Sequence, residues 1–231
     1  AAAVFTTNKV QAAPVRLGRA HLKESGGVAR ALVVNAGNAN CATRTGDKVA
    51  LATSKALARA LRVKPCEVLP SSTGVISVEL NPALITNALP ALLEGLSFDR
   101  FLDAADAILT TDLVRKVAFA EAGGVRIAGM TKGSGMIHPG MATTLAYVMT
   151  DAAIAPAALR AHLKAAVGRS YNRLSVDGDM STNDTLLVLA SGASGVKPKK
   201  DAFQASLDAV CQSLAQQIAR DGEGAQKFVE I

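Results

Sequence analysis

KGSGMIHPGMATTLAYVMT, residues 132–150, sets the architecture of this chain. From Lys132 to Gly140 it is glycine-rich and turn-prone. From Thr143 through Thr144, Leu145, Ala146, Tyr147, Val148 and Met149 it is rich enough in β-branched and aromatic residues to read as a strand. A strand therefore starts at or beside a threonine, and Pro139, Gly140, Met141 and the small Ala142 lie in a segment that must turn to deliver it. A hydroxyl at the mouth of a strand, beside glycines that allow close approach, suits a nucleophile. The same residues also fit an ordinary loop entering a core strand, with threonines serving β-propensity.

Upstream, residues 114–120 and 124–130 read as two strands joined by a turn at 121–123, a hairpin feeding the loop. Downstream, Pro156 starts a helix reaching about residue 167 with Leu159, Leu163 and Val167 inward and His162 on the surface. Residues 184–190 form a strongly apolar strand, 191–200 resemble a linker, and 200–220 form the longest helix. That helix carries a stripe of Phe203, Leu207, Val210, Cys211, Leu214 and Ile218. Residues 226–231 begin a further strand.

The first half alternates in the same way. Residues 1–15 suggest an edge or hairpin strand ended by Pro14, and 29–34 a buried strand that delivers Asn35 into NAGNANCATRTG. That loop lacks the Walker lysine and the GxGxxG order, so its asparagines and glycines read as turn formers rather than a phosphate cradle. Residues 47–61 form a surface helix. Residues 67–69 form a short strand that opens into a turn carrying Ser71, Ser72, Thr73 and Gly74. Pro82 starts another helix with Asn81 as its N-cap, and Pro90 inside its apolar face predicts a kink or early end. Residues 98–109 form a third amphipathic helix ending in Thr110, Thr111 and Asp112. Alternation alone would suit a doubly wound α/β sheet. The loop feeding a Thr-started strand fits an α+β fold better, with helices packed outside two stacked sheets.

At 231 residues and 49% hydrophobic the chain can bury a sizeable core as one globular unit. With 3% aromatics and no Trp, that core rests on Ala, Val, Leu and Ile. A net charge of +6 suits an anionic partner, yet the basic residues are scattered and aromatics too few for base stacking, which argues against nucleic acid. Cys41, Cys66 and Cys211 are far apart, and with only His21, His138 and His162 present they point to a reducing compartment without a structural metal. No apolar run approaches the roughly 18 residues that span a bilayer, and no secretory signal opens the chain, so a cytoplasmic protein without a membrane partner is expected. Because the opening AAAVFTTNKV already reads as a strand, the translation start is expected upstream.

Several motifs stand in one order: NAGNAN at 35–40, SSTGVI at 71–76, DAILTTD at 106–112, KGSGMIHPGMATTL at 132–145, STNDT at 181–185 and DGEGAQKF at 221–228. In these, and over nearly its whole length, the chain resembles the ornithine acetyltransferase family, the glutamate N-acetyltransferases of arginine biosynthesis. The resemblance implies an α/β/β/α sandwich and self-cleavage between Ala142 and Thr143. The cut would give an α chain over 1–142 and a β chain from 143, with two of each assembled together. It implies Thr73 and Gly74 as the oxyanion hole, Thr143 as nucleophile, and Thr110, Lys132, Thr143 and Glu223 as substrate contacts. It implies no cofactor and no metal, although some members also accept acetyl-CoA as donor. It also implies a C-terminal stretch beyond the EGAxK motif, supplying an Asn and a terminal hydroxyl residue to the pocket, so the present chain is expected to be a fragment.

The residues make chemical sense in these roles. A threonine hydroxyl is a weak nucleophile until a base takes its proton, and only His138 is near it in sequence. Cutting the bond before Thr143 frees an α-amine of pKa about 7.7–8.0, which can serve as that base. Thr144 is the competing candidate. Thr73 and Gly74 offer a hydroxyl and a backbone N–H side by side, and losing one such donor typically removes about 2.7–4 kcal/mol of transition-state stabilisation. Lys132 suits a substrate α-carboxylate and Glu223 an amino group. The expected reaction is ping-pong acetyl transfer from N2-acetylornithine to glutamate. The rivals are a self-processing Thr amidase or aminopeptidase that uses water, and a non-catalytic binder of an anionic metabolite.

Overall fold

A computed structural model describes residues 1–138 and 144–230. β5 (Val125–Lys132) and β6 (Leu145–Thr150) run antiparallel with Lys132 opposite Leu145, so the two flanks of the 132–150 stretch lie side by side. β4 (Lys116–Ala122) completes a hairpin with β5. β7 (Thr185–Ala190) pairs parallel with β6, and β1 (Ala2–Phe5) closes the other edge, giving the order β1-β7-β6-β5-β4. A parallel pair requires a crossover, which α6 (Pro156–Arg169) supplies.

Side-chain alternation along these strands builds two cores. Ala146, Val148, Leu186 and Val188 face α6 and α7 (Lys200–Arg220), packing on Leu159, Leu163, Phe203, Leu207, Val210 and Leu214. Leu145, Tyr147 and Leu187 face the opposite way, onto Leu69, Leu32 and Val34 of a second sheet and onto Ala105 of α5 (Phe101–Ala107). The second sheet is a parallel pair, β2 (Ala31–Asn38) and β3 (Val68–Val75). Its other face, Ala31, Val33 and Val68, packs on Leu57 and Ala58 of α2 (Gly46–Leu61) and on Leu89 of α4 (Leu89–Glu94). Helices thus lie outside two stacked sheets, as the α/β/β/α expectation has it.

Several local expectations change. The first strand ends at Phe5, and Pro14 sits in the first turn of a helix, α1 (Ala13–Glu24), where a missing N–H is harmless. The 29–34 strand runs on to Asn38 and is only partly buried, since it belongs to a two-stranded sheet. The 67–69 strand continues through Val75, so Thr73 and Gly74 lie on a strand rather than a turn. The helix from Pro82 breaks into α3 (Ala83–Thr86) and α4, with Pro90 in the first turn of α4; Asn81 Oδ1 does accept the Ala83 N–H. Leu84 of α3 and Leu92 of α4 are exposed. Instead of one helix over 98–109, a 3-10 turn (Phe98–Arg100) precedes the short α5. His162 is buried rather than on the surface; its Nδ1 lies 2.7 Å from Gln204 Oε1 and its ring stands edge-on to Phe203. Residues 226–230 form no strand. The three cysteines are buried and free, and among the described residues no helix is long and apolar enough to cross a membrane.

Candidate active site

Lys132, the last residue of β5, is 5% exposed and donates from Nζ to Thr110 Oγ1 at 2.8 Å. Burial pulls the Lys132 ammonium below the ordinary lysine range; Asp112 opposes that shift and Lys116 adds to it. Thr110 is fixed by its own amide, which donates to Asp112 Oδ2 at 3.3 Å. Asp112 Oδ1 accepts the Gly133 N–H at 2.6 Å and the Lys116 ammonium at 2.6 Å. Burial works to raise the Asp112 carboxyl, but these donors outweigh it and hold the group low. Lys116 also donates to Asp221 Oδ2 at 2.6 Å and to Val114 O at 3.2 Å.

Glu223 joins from beyond α7. Its N–H donates to Ser134 O at 2.7 Å, and its carboxylate lies over Gly135, where a Cβ would fall 2.8 Å from Glu223 Cδ. Ser134 Oγ is 2.8 Å from Thr111 Oγ1. The LTTD run, the KGSG loop and the DGEG segment therefore meet around one lysine.

A second group forms where the two sheets meet. Thr73, 7% exposed, lies on β3 opposite Ala36, and Gly74 opposite Gly37. Gly74 has φ +126°, and a Cβ there would stand 2.5 Å from Asn38 N, so only glycine fits. Asn183 Nδ2 donates to Ala39 O at 2.7 Å and Ser72 O at 2.8 Å, tying STNDT to NAGNAN and SSTGVI at once. The next residue, Asp184, accepts the Thr144 N–H through Oδ1 at 2.9 Å, while Thr185 N–H donates to Thr144 O at 2.9 Å. Burial pushes the Asp184 carboxyl well up.

The structure thus brings Thr110 and Lys132 into direct contact and sets Glu223 beside their loop. It links Thr73 and Gly74 through Asn183 and Asp184 to the start of β6. Ala142 and Thr143 lie outside the described residues. Sequence reasoning assigned no role to Lys116, Asp221, Asn183 or Asp184. The last three sit inside motifs already quoted, and Lys116 shows as a charged residue in a strand that is otherwise mostly apolar. Among the described residues no cluster of His, Cys, Asp and Glu is placed to hold a metal.

Fold and site together define an α/β/β/α sandwich with a buried lysine and hydroxyl groups at the strand mouths of its larger sheet. The chain belongs to the ArgJ family, whose model matches residues 1–231. It is 50% identical to the arginine biosynthesis bifunctional protein of Thermus thermophilus over 228 residues, covering 98% of this chain and 58% of that protein. With the protein of the same name from Rhizobium meliloti it shares 45% identity, over 100% of this chain and 59% of the relative. It therefore spans about three-fifths of the length of these relatives. Among solved structures it is similar to the ornithine acetyltransferase of Mycobacterium tuberculosis in complex with ornithine, with a TM-score of 0.51 and 28% identity. That match covers 60% of this chain and 75% of the other.

Proposed function

We propose that the complete protein is a self-processing glutamate N-acetyltransferase of arginine biosynthesis. In this reading the backbone is cut between Ala142 and Thr143, leaving an α chain over 1–142 and a β chain from 143. Thr143 then takes the acetyl group from N2-acetylornithine, releases ornithine and passes the group to glutamate. The new α-amine is the proton acceptor, and Thr73 with Gly74 stabilises the tetrahedral oxyanion in both steps. Lys132 and Thr110 receive the α-carboxylate common to both substrates, and Glu223 receives the amino group of ornithine.

The observation that carries this reading is the Lys132–Thr110 hydrogen bond, at the end of β5 and opposite the start of β6. It sets a buried cation and a hydroxyl at the mouth of β6, whose first residue, Leu145, follows Thr143 by two positions in the sequence. The neighbouring structure with ornithine bound fits the same ligand class. Thr144 suits the nucleophile role less well, being 2% exposed with its amide already given to Asp184. Two copies of each chain, a cytoplasmic setting and no bound cofactor complete the reading.

The test uses the full-length protein with labelled N2-acetylornithine, with and without glutamate. A transferase forms labelled acetylglutamate only when glutamate is present, and its Thr143→Ala variant stays uncut and inert. Equal acetate release under both conditions would make it an amidase. An uncut, inactive parent that binds ligand would make it a binding protein. Acetyl-CoA offered as the only donor settles in the same assay whether it is used.

A further inference from the structure

Lys116 lies in the site region, takes no part in substrate recognition, and is held by three hydrogen bonds. Its side chain is wholly buried, as is that of Asp112, and Asp221 is 4% exposed. The ammonium has three acceptors: Asp112 Oδ1, Asp221 Oδ2 and Val114 O. The carboxylates do more than balance it. Asp112 also holds the Thr110 and Gly133 amides, and Asp221 Oδ2 holds the Leu113 amide at 3.1 Å.

Each of these ties falls beside a residue given a substrate role above. Thr110 is held by its own amide, Lys132 directly precedes Gly133, and Glu223 lies two residues beyond Asp221. The Glu223 N–H to Ser134 O bond closes the ring. Through one ammonium, three segments that are distant in sequence take a single relative position.

We infer that Lys116, Asp112 and Asp221 form a positioning cluster that sets Thr110, Lys132 and Glu223 in register for one substrate, an inference that rests on the functional reading above. Stability alone does not call for it, since apolar residues of similar volume often serve a core as well as a buried ion triad does. Directional bonds to named amides are what an apolar core could not supply. The cluster also carries a formal charge of minus one, two carboxylates against one ammonium, next to Lys132. The charged groups facing Lys132 are Asp112 from the run after α5, Lys116 from β4, Asp184 ahead of β7 and Glu223 beyond α7. The three carboxylates favour its ammonium, and Lys116 opposes it.

The experiment compares the full-length parent with Asp221→Asn and Asp112→Asn, each isosteric and lacking one charge. In Asp221→Asn, hydrogen exchange is expected to speed up together at residues 110–114, 133–135 and 221–224 while β6 and β7 stay protected. KM for donor and acceptor should rise ~10-fold or more, with kcat much less changed. In Asp112→Asn the alkaline limb of kcat/KM should move to lower pH, because a group supporting the Lys132 charge has gone. A purely structural role would leave that limb in place. Exchange that speeds up evenly along the chain, or only at 221–224, would overturn the inference, as would parental KM values and a parental alkaline limb. Should Asp221→Asn not fold, Lys116→Arg, which keeps the charge but misfits the three-acceptor seat, takes the same measurements. If the parent itself moves no acetyl group, the functional reading fails, and hydrogen exchange alone decides whether the cluster couples the three segments.

Discussion

A lysine as buried as Lys132 is costly to keep charged, and the carboxylates around it are what make the charge tenable. Because burial depresses its pKa, the ammonium is lost below the ordinary lysine value of about 10.4, and the alkaline limb of kcat/KM should fall short of that value. A charge-assisted hydrogen bond contributes about 1.5–3 kcal/mol, so Lys132→Met should lower kcat/KM by about ten- to a hundredfold; steady-state kinetics checks it. Gly74 is constrained differently. Its positive φ and the nearby Asn38 nitrogen leave no room for a methyl group, so Gly74→Ala should destabilise the chain by about 3 kcal/mol or more, read from urea unfolding. Lys132, Thr110, Thr73 and Glu223 could be singled out because each sits in a recognisable motif, and their roles remain the proposal made above. Lys116 could not, because a lysine that follows Arg115 near the start of the expected 114–120 strand reads as part of its solvent end. Only the packing of Asp221, 105 residues away, reveals that it is buried.

Among the elements, those whose sequence carries an unbroken period were the easiest to read. The α7 stripe faces one core and the apolar run of β7 is buried on both faces, and each was placed within a residue of its observed bounds. β3 was cut short because Pro70, Ser71, Ser72, Thr73 and Gly74 are turn residues by type. Pairing with β2 overrides that preference by giving the backbone a parallel partner through Val75. α1 was missed for the converse reason: Pro14 ends strands and begins helices equally well, and nothing local decides between them. The element-level joint is Asn183, whose amide bridges the end of β2 and the middle of β3. Asn183→Ala leaves the Ala39 and Ser72 carbonyls without that donor and should cost about 2–3 kcal/mol, seen as a lower thermal midpoint.

At the scale of the whole molecule, layered packing serves to bring separate motifs to one place. Four layers bury two cores on either side of the larger sheet, and the strand mouths between the sheets collect NAGNAN, SSTGVI and STNDT. The stacking followed from the resemblance and from the loop entering β6, whereas the tertiary ties among motifs came only from the folded chain. Electrostatics also acts at this scale. Glu79 is held low by the Thr45 hydroxyl, Asp106 by Arg115 and Asp151 by the Arg126 amide. Asp112 and Asp177 are pushed up by burial but held low on balance by their hydrogen bonds. Carboxyls depressed on folding add stability above their unfolded values of about 3.9–4.3, and that stability is lost as pH falls through the lower folded values. Asp184, raised by burial, has the opposite sign, contributing most below about pH 4 and less as pH rises. The five depressed carboxyls should lower the urea midpoint on acidification below about pH 4, with Asp184 working against them.

The most direct measurement is intact mass and N-terminal sequencing of the full-length protein before and after incubation with N2-acetylornithine. Two chains are expected, the second beginning TTLAY at Thr143 and gaining one acetyl group that glutamate then removes. One continuous polypeptide that transfers acetyl at full rate, or an acetyl group on any other residue, would contradict the account.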